Sequence, residues 1–342
     1  MTDLAVIGAG LIGRCHAALI ADSAEATLSA IADPAPDARH LAEEMGVPWF
    51  PDLPHLLEAQ HPDGIIIATP NQRHRADGEA AVAAGIPALV EKPLAGDVAD
   101  AEALVSAADR AGVPLLVGHH RRHNPIIAAA KAAIARGELG RIVAVHAQFW
   151  LCKPDDYFEV DWRRQPGAGP VLINLIHDID LLRHLCGEIT AVQANETSAI
   201  RDLAVEDTAA AILTFENGAL GTLTASDTVA APWSWEMTAG ENPTYPHTDQ
   251  HCYLIGGTHG SLSLPQGVLW RHPGPRSWWE PIAPTQLDIA PADPLPRQLA
   301  HFCAVIRGEA TPLVGGTDGL AAVRVIAAIK EAAVSGQTVA VA

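Results

Sequence analysis

The strongest constraint on this chain lies near its start, in Gly8-Ala9-Gly10-Leu11-Ile12-Gly13. An apolar run at residues 4–7 precedes the glycines and an amphipathic run at 14–20 follows them, so the pattern reads strand, tight turn, helix. A second apolar run, 26–32, ends at Asp33, at the distance of about twenty residues that a dinucleotide-binding βαβ unit requires. In such a unit Gly8 permits the turn, Gly10 lets the backbone approach a pyrophosphate, and Gly13 lets the helix pack on the strand. The pyrophosphate meets the helix N-terminus at Leu11 and Ile12. Asp33 accepts hydrogen bonds from the adenosine ribose hydroxyls. A glycine turn in another α/β fold is the alternative, and the joint register of strand, helix and Asp33 favours dinucleotide binding. The Asp33 carboxylate repels a 2′-phosphate and no arginine follows it directly, which points to NAD. Arg39, the nearest cation, keeps NADP as the lesser alternative.

At 342 residues the chain is long enough for two domains, and 49% hydrophobic residues supply their cores. A formal net charge of -18 argues against nucleic acid and anionic membrane surfaces as partners. No apolar stretch reaches the length of a membrane span, and Met1-Thr2-Asp3 lacks the basic start of a signal peptide. Five scattered cysteines without a CxxC fit a reduced, cytoplasmic protein.

Strand and helix alternate over the first 120 residues. Strands are expected at 65–69, 88–90 and 113–117; helices at 79–84 and 100–111, the latter capped by Asp97 or Asp100. Continuous apolar runs such as Ile65-Ile66-Ile67 mark strands buried on both faces of a doubly wound parallel sheet, with binding at their carboxyl ends. After Gly118 the pattern changes. A helix at 126–136 and strand-like runs at 142–150, 189–193, 209–214, 219–225, 252–255, 261–264 and 268–270 indicate a large, mostly antiparallel open sheet. Residues 291–296 read as a proline-rich connector, and helices at 295–307 and 317–334 close the chain. The expected class is α/β: a Rossmann domain at 1–120, then an α+β domain at 121–342 for substrate binding and oligomerisation.

Three stretches carry candidate chemistry. Glu91-Lys92-Pro93 leaves a strand at the cofactor cleft, where a nearby cation disfavours the lysine ammonium and makes Lys92 a general base; a surface lysine paired with Glu91 is the alternative. Thr69-Pro70-Asn71, followed by His74, leaves a neighbouring strand end in reach of the cofactor. Gly167-Ala168-Gly169-Pro170 leads into an apolar helix on which Asn174, His177 and Asp178 share a stripe, with Asp180 three residues beyond His177. Polar groups on such a helix need partners; a satisfied core histidine is the alternative to a functional one. The run His119-His120-Arg121-Arg122-His123 lacks metal-ligand spacing, so no metal is expected, and Arg121 or Arg122 faces substrate or phosphate. Trp233 and Trp235 form a pocket wall or ordinary packing.

Together these pieces resemble the glucose-fructose oxidoreductase / inositol dehydrogenase / MocA family. The resemblance runs through Gly8–Gly13 with His16, the Thr69-Pro70-Asn71…His74 turn, Glu91-Lys92-Pro93, Trp162-Arg163 leading to Gly167-Ala168-Gly169, His177…Asp180, and the tail 298–302 and 316–320. It implies hydride transfer at a secondary alcohol of a sugar, polyol or cyclic diol, with Lys92 as the proton-transfer residue and His177 beside it. By the same resemblance Thr69, Pro70, Asn71, His74, Glu91 and Lys92 join the cofactor site, while Arg121, Trp162, Asn174, Asp180 and Trp235 join Lys92 and His177 around substrate. It also implies homodimers or homotetramers. Many members place an aspartate four residues before the histidine; here Ile173 stands there, with Asn174 beside it. Asparagine holds a hydroxyl but relays no proton. An NAD-dependent glycosidase with transient oxidation and a non-catalytic dinucleotide or sugar sensor are the competing readings.

Overall fold

A computed structural model describes residues 1–290 and 292–341. The chain divides into two compact units, Met1–His120 with Pro294–Val323 and Arg121–Asp293 with Arg324–Ala342.

The first unit alternates β1 (Thr2–Ile7), α1 (Leu11–Ala21), β2 (Ala26–Ala32), α2 (Pro36–Met45), β3 (Trp49–Phe50), α3 (Leu53–Ala59), β4 (Gly64–Ile67), α4 (His74–Ala83), β5 (Ala88–Val90), α5 (Val98–Ala111) and β6 (Leu115–Val117). Its six strands pair in parallel in the order β3-β2-β1-β4-β5-β6. The order reverses between β1 and β4, which makes their carboxyl ends the topological switch point. Apolar side chains cover both faces of the sheet. Ile65, Ile67 and Val90 enter one core and Leu4, Val6, Ile66 and Leu89 the other. Asp97 caps α5 by accepting a hydrogen bond from the Asp100 N–H.

In the second unit come α6 (Pro125–Ala135), β7 (Ile142–Trp150), α7 (Pro170–Ile173), α8 (Leu175–Cys186), β8 (Ile189–Thr197), β9 (Thr208–Phe215), β10 (Leu220–Ser226), α9 (Trp235–Thr238), β11 (Tyr253–Gly257), β12 (Gly260–Leu264), β13 (Val268–Arg271) and β14 (Ala283–Gln286). After them run α10 (Pro294–Ile306), α11 (Gly316–Ser335) and β15 (Val339–Ala340). The nine described strands of this sheet run β14-β13-β12-β11-β7-β10-β9-β8-β15, antiparallel throughout except for the parallel pair β10 and β7. The apolar helix α8 packs on β7 and α6.

Three expectations need correction. Residues 294–323, assigned by sequence to the second domain, belong to the first unit, because Leu299, Phe302, Cys303 and Val305 bury their side chains among Leu4, Val6 and Ile20. Of the expected connector 291–296, residues 294–296 open α10, where proline suits a first helical turn, and Pro291 lies outside the described residues. The single helix expected after Gly169 is two, α7 and α8, jointed at Asn174 (φ −109°, ψ −56°). Cys152, Cys186, Cys252 and Cys303 are free thiols, and no helix among the described residues is long and apolar enough to cross a membrane.

Candidate active site

In the first unit the glycine turn is shaped by close approach. Gly8 has φ +93°, and a Cβ there would lie 2.6 Å from the Ala68 carbonyl at the end of β4. A Cβ on Gly13 would stand 1.9 Å from the Gly8 carbonyl oxygen. Gly10 differs, for no heavy atom lies within 4 Å of where its Cβ would be. Gly10 is therefore bare on its outer side, and α1 begins without a side-chain cap. Uncapped N–H groups beside an open, side-chain-free turn suit a pyrophosphate. Leu11 and Ile12 are exposed on the same turn.

Asp33 ends β2. Its Oδ2 accepts from the Ala9 N–H at 2.7 Å and its Oδ1 from the Ala35 N–H at 2.7 Å. A carboxylate has about four acceptor positions, so two hydrogen bonds that fix Asp33 against the glycine turn leave others for ribose hydroxyls. These features fit NAD.

Behind the switch point the structure spends its polar side chains on holding loops. Thr69 donates its hydroxyl proton to buried Asp77 at 2.9 Å, and Arg73 pairs with the same carboxylate. The His74 ring is buried between two carbonyl oxygens, that of Pro93 at 2.8 Å from Nδ1 and that of Thr69 at 2.7 Å from Nε2. His74, expected at the cofactor, is thus a clamp between the β4 and β5 loops, with both ring nitrogens occupied. Glu91 is buried as well. Its Oε1 lies 2.8 Å from His16 Nε2 on α1, its Oε2 accepts from the Lys92 N–H, and a Cβ on Gly118 would strike the carboxylate at 2.8 Å. Burial pushes the Glu91 carboxyl up, but the His16 hydrogen bond and the charges of His16, His120 and Lys92 outweigh it and hold it at about 2. Glu91 therefore ties the glycine-turn helix to the loop carrying Lys92 rather than facing a ligand. Pro70 is exposed, and Asn71 and Lys92 are half-buried.

In the second unit Asn174 and His177 lie at the joint between α7 and α8, where the His177 N–H donates to the Asn174 carbonyl at 3.1 Å. Among the described residues the buried Asn174 Oδ1 has no hydrogen-bond partner. A buried amide oxygen without a partner is costly and marks a place where a ligand hydroxyl fits. Three expected substrate contacts are corrected. Asp180 is buried in a two-pronged pair with Arg122, at 2.8 Å to Nε and 2.6 Å to Nη2. Arg121 is buried against Glu236 at 2.7 Å and Asp178 at 3.5 Å. Trp235 is core: it stacks on Tyr253 with centroids 5.7 Å apart, lies under the Arg121 guanidinium, and donates its indole N–H to Glu241 at 2.8 Å. Trp162 is exposed beside Arg163, and Trp233 pairs with Trp150.

Tyr253, which completes this network with Glu236, escaped the sequence reading. Tyr253 donates its hydroxyl proton to Asp178. The available signal was a tyrosine in an otherwise apolar strand, whose buried hydroxyl needs a partner. Burial raises the Asp178 carboxyl, Arg121 pulls it back, and Glu236 raises it again, leaving it at about 7.

The comparisons agree with this architecture. Residues 2–119 match the family model described as oxidoreductase family, NAD-binding Rossmann fold, and residues 127–263 match the GFO/IDH/MocA C-terminal domain. A myo-inositol dehydrogenase, Hyg17, from Streptomyces leeuwenhoekii is 34% identical over 65% of this chain and 69% of its own. A D-apiose dehydrogenase from Paraburkholderia graminis is 28% identical over 98% of this chain and 88% of its own. Among solved structures, a levoglucosan dehydrogenase in complex with NADH and levoglucosan superposes with a TM-score of 0.82 at 23% identity, covering 99% of both chains, and shares the fold. With both halves matched in order, the chain belongs to the glucose-fructose oxidoreductase / inositol dehydrogenase / MocA family of NAD-binding oxidoreductases.

Proposed function

We propose that this oxidoreductase interconverts a secondary alcohol of a sugar, polyol or cyclic diol with the corresponding ketone, using NAD in preference to NADP. The observation that carries the reading is the family match over both halves of the chain, together with relatives named as inositol and apiose dehydrogenases. NAD, when bound, supplies the hydride acceptor or donor. The turn Gly8–Gly13 would hold its pyrophosphate, Asp33 its adenosine ribose, and Thr69, Pro70 and Asn71 its remaining half. Lys92 takes the hydroxyl proton as the alcohol is oxidised and returns it in reduction. His177 hydrogen-bonds the reacting hydroxyl. Asn174 offers its unpartnered amide oxygen to a neighbouring hydroxyl, a binding role rather than a proton relay. The test is a screen of myo-inositol, scyllo-inositol, D-apiose, levoglucosan and an aromatic dihydrodiol for net NADH. Accumulation supports the reading, while glycoside cleavage without net NADH, or NADH binding without any turnover, replaces it.

We further propose that the protein works in the reducing cytoplasm, where thiols such as Cys186, Cys252 and Cys303 persist, and as a dimer or tetramer. One face of the nine-stranded sheet exposes Ile212, Leu220, Leu254 and Trp270, and a patch of that kind asks for a cover. A second copy is the expected cover. Sedimentation velocity of Leu254→Glu should shift the protein toward monomer; an unchanged sedimentation coefficient for a monomeric parent ends the proposal.

A further inference from the structure

The helix α7 is only four residues long, yet it leads directly into Asn174 and His177. So short a helix has no stability of its own and takes its position from what grips it. Its internal bonds are few: the Ile173 N–H donates to the Gly169 carbonyl and the Asn174 N–H to that of Pro170. At its start, buried Glu206 reaches in from the segment before β9, and its Oε1 accepts from the Val171 N–H at 3.1 Å. A Cβ on Gly169 would lie 2.2 Å from that same oxygen, so glycine is required for the carboxylate to come so close. The other oxygen, Oε2, accepts from Lys330 Nζ on α11 at 2.9 Å. Lys330 also serves Glu196 on β8, at 2.6 Å to Oε2. One ammonium therefore holds two carboxylates, and Glu206 has little solvent to replace it.

We propose that Glu206, fixed by Lys330, is a positioning residue that sets where α7 presents Asn174 and His177 to substrate. The inference rests on the substrate-binding role given above to those two side chains. Without Lys330 the facing carboxylates repel, Glu206 withdraws from Val171, and the α7 turn loses its outside anchor. The Rossmann unit contains neither partner, so NADH binding is untouched.

The experiment compares the full-length parent with Lys330→Met, Lys330→Arg and Glu206→Gln. Amide hydrogen exchange over residues 168–178, NADH affinity by fluorescence titration, and kcat and KM for whichever screened polyol turns over are measured on each. Lys330→Met should speed exchange at 168–178 by about tenfold, raise KM by a similar factor through Asn174, and lower kcat through His177. Lys330→Arg, which keeps a cation, should restore all three. Glu206→Gln keeps an acceptor for Val171 but turns its amide donors toward Lys330, and should fall between the two. Parent-like exchange and KM in Lys330→Met overturn the proposal, as does exchange that rises evenly through the whole second unit, which would make the pair merely structural. If no polyol turns over in the parent, the functional reading fails, and the exchange measurement still decides whether Lys330 anchors α7.

Discussion

Each unit buries a carboxylate next to a candidate functional residue, and the two are displaced in opposite directions. Glu91, preceding Lys92, is held at about 2. Asp178, following His177, is pushed to about 7. Both pay for burial, so desolvation alone does not separate them. The difference is in the count of partners. Glu91 is the one carboxylate among His16, His120 and Lys92. Asp178 shares a single guanidinium, Arg121, with Glu236, which takes the shorter contact. The first arrangement fixes a charge at every working pH, as a rigid frame for the glycine turn and the Lys92 loop requires. The second leaves a group poised to titrate near neutrality.

The largest expected effect tests what the Glu91 frame is for. If it serves to present Lys92, Lys92→Ala should cut kcat by about two to four decades while NAD affinity, read by titration, stays near that of the parent. Loss of NAD binding in that variant would mean that the loop builds the cofactor site instead.

Glu91→Gln attacks the frame itself. Breaking a buried charged contact of this kind costs about 3–5 kcal/mol, read as the shift in urea unfolding. The Glu91 carboxyl lies below the ordinary glutamate value of 4.5, so the native state binds fewer protons than the unfolded one between about 2 and 4.5. Its stabilising contribution is full above that window and is lost as pH falls through it. The parent should lose stability on acidification there, and Glu91→Gln should show a flatter slope. An equal slope in both proteins refutes the assignment.

Smaller effects follow at the ligand-facing positions. Asn174→Ala should raise KM by about tenfold with little change in kcat, and His177→Ala should lower kcat; the reverse pattern would exchange their roles. Asp33 should favour NAD over NADP by at least about one decade, about 1.4 kcal/mol, and Asp33→Ser should narrow that gap in parallel titrations.

The contrast between the units also explains what was legible in the sequence. The first unit's ligand turn is built from backbone, and backbone demands leave residue signatures: a Cβ at Gly8 or Gly13 would strike the chain, and Gly10 and Asp33 are legible from their spacing to those two. The second unit's network is assembled from side chains far apart in sequence, Arg121, Asp178, Glu236 and Tyr253, and no local spacing announces such a meeting. Where local polarity suggests function, pairing with distant groups claims the side chain. Asp180 belongs to Arg122, His74 to two carbonyls, and Trp235 to the core. Strand β3, two residues long, carried too little periodicity to read. The break at Asn174 was hidden by an apolar run that continues on both sides of it.

The smallest expected effect is at Asp178, and it sharpens the comparison most. Its native carboxyl lies at about 7 against the ordinary aspartate value of 3.8, so between these limits the native state holds a proton that the unfolded state has released. The contribution of this group therefore favours folding below about 4 and is lost as pH rises to about 7, the opposite sense to Glu91. Asp178→Asn fixes the neutral form, keeps an acceptor for the Tyr253 hydroxyl, and leaves Arg121 with Glu236. At pH 5 the variant should unfold within about 1 kcal/mol of the parent, because both carry an uncharged side chain there. At pH 8 the parent bears the burial cost of a charge that asparagine lacks, so the variant should match or exceed it. Paired urea titrations at the two pH values read the difference directly. A variant that loses more stability at pH 8 than at pH 5 would show that Asp178 works as the ionised partner of Arg121, and that the two units handle buried carboxylates alike.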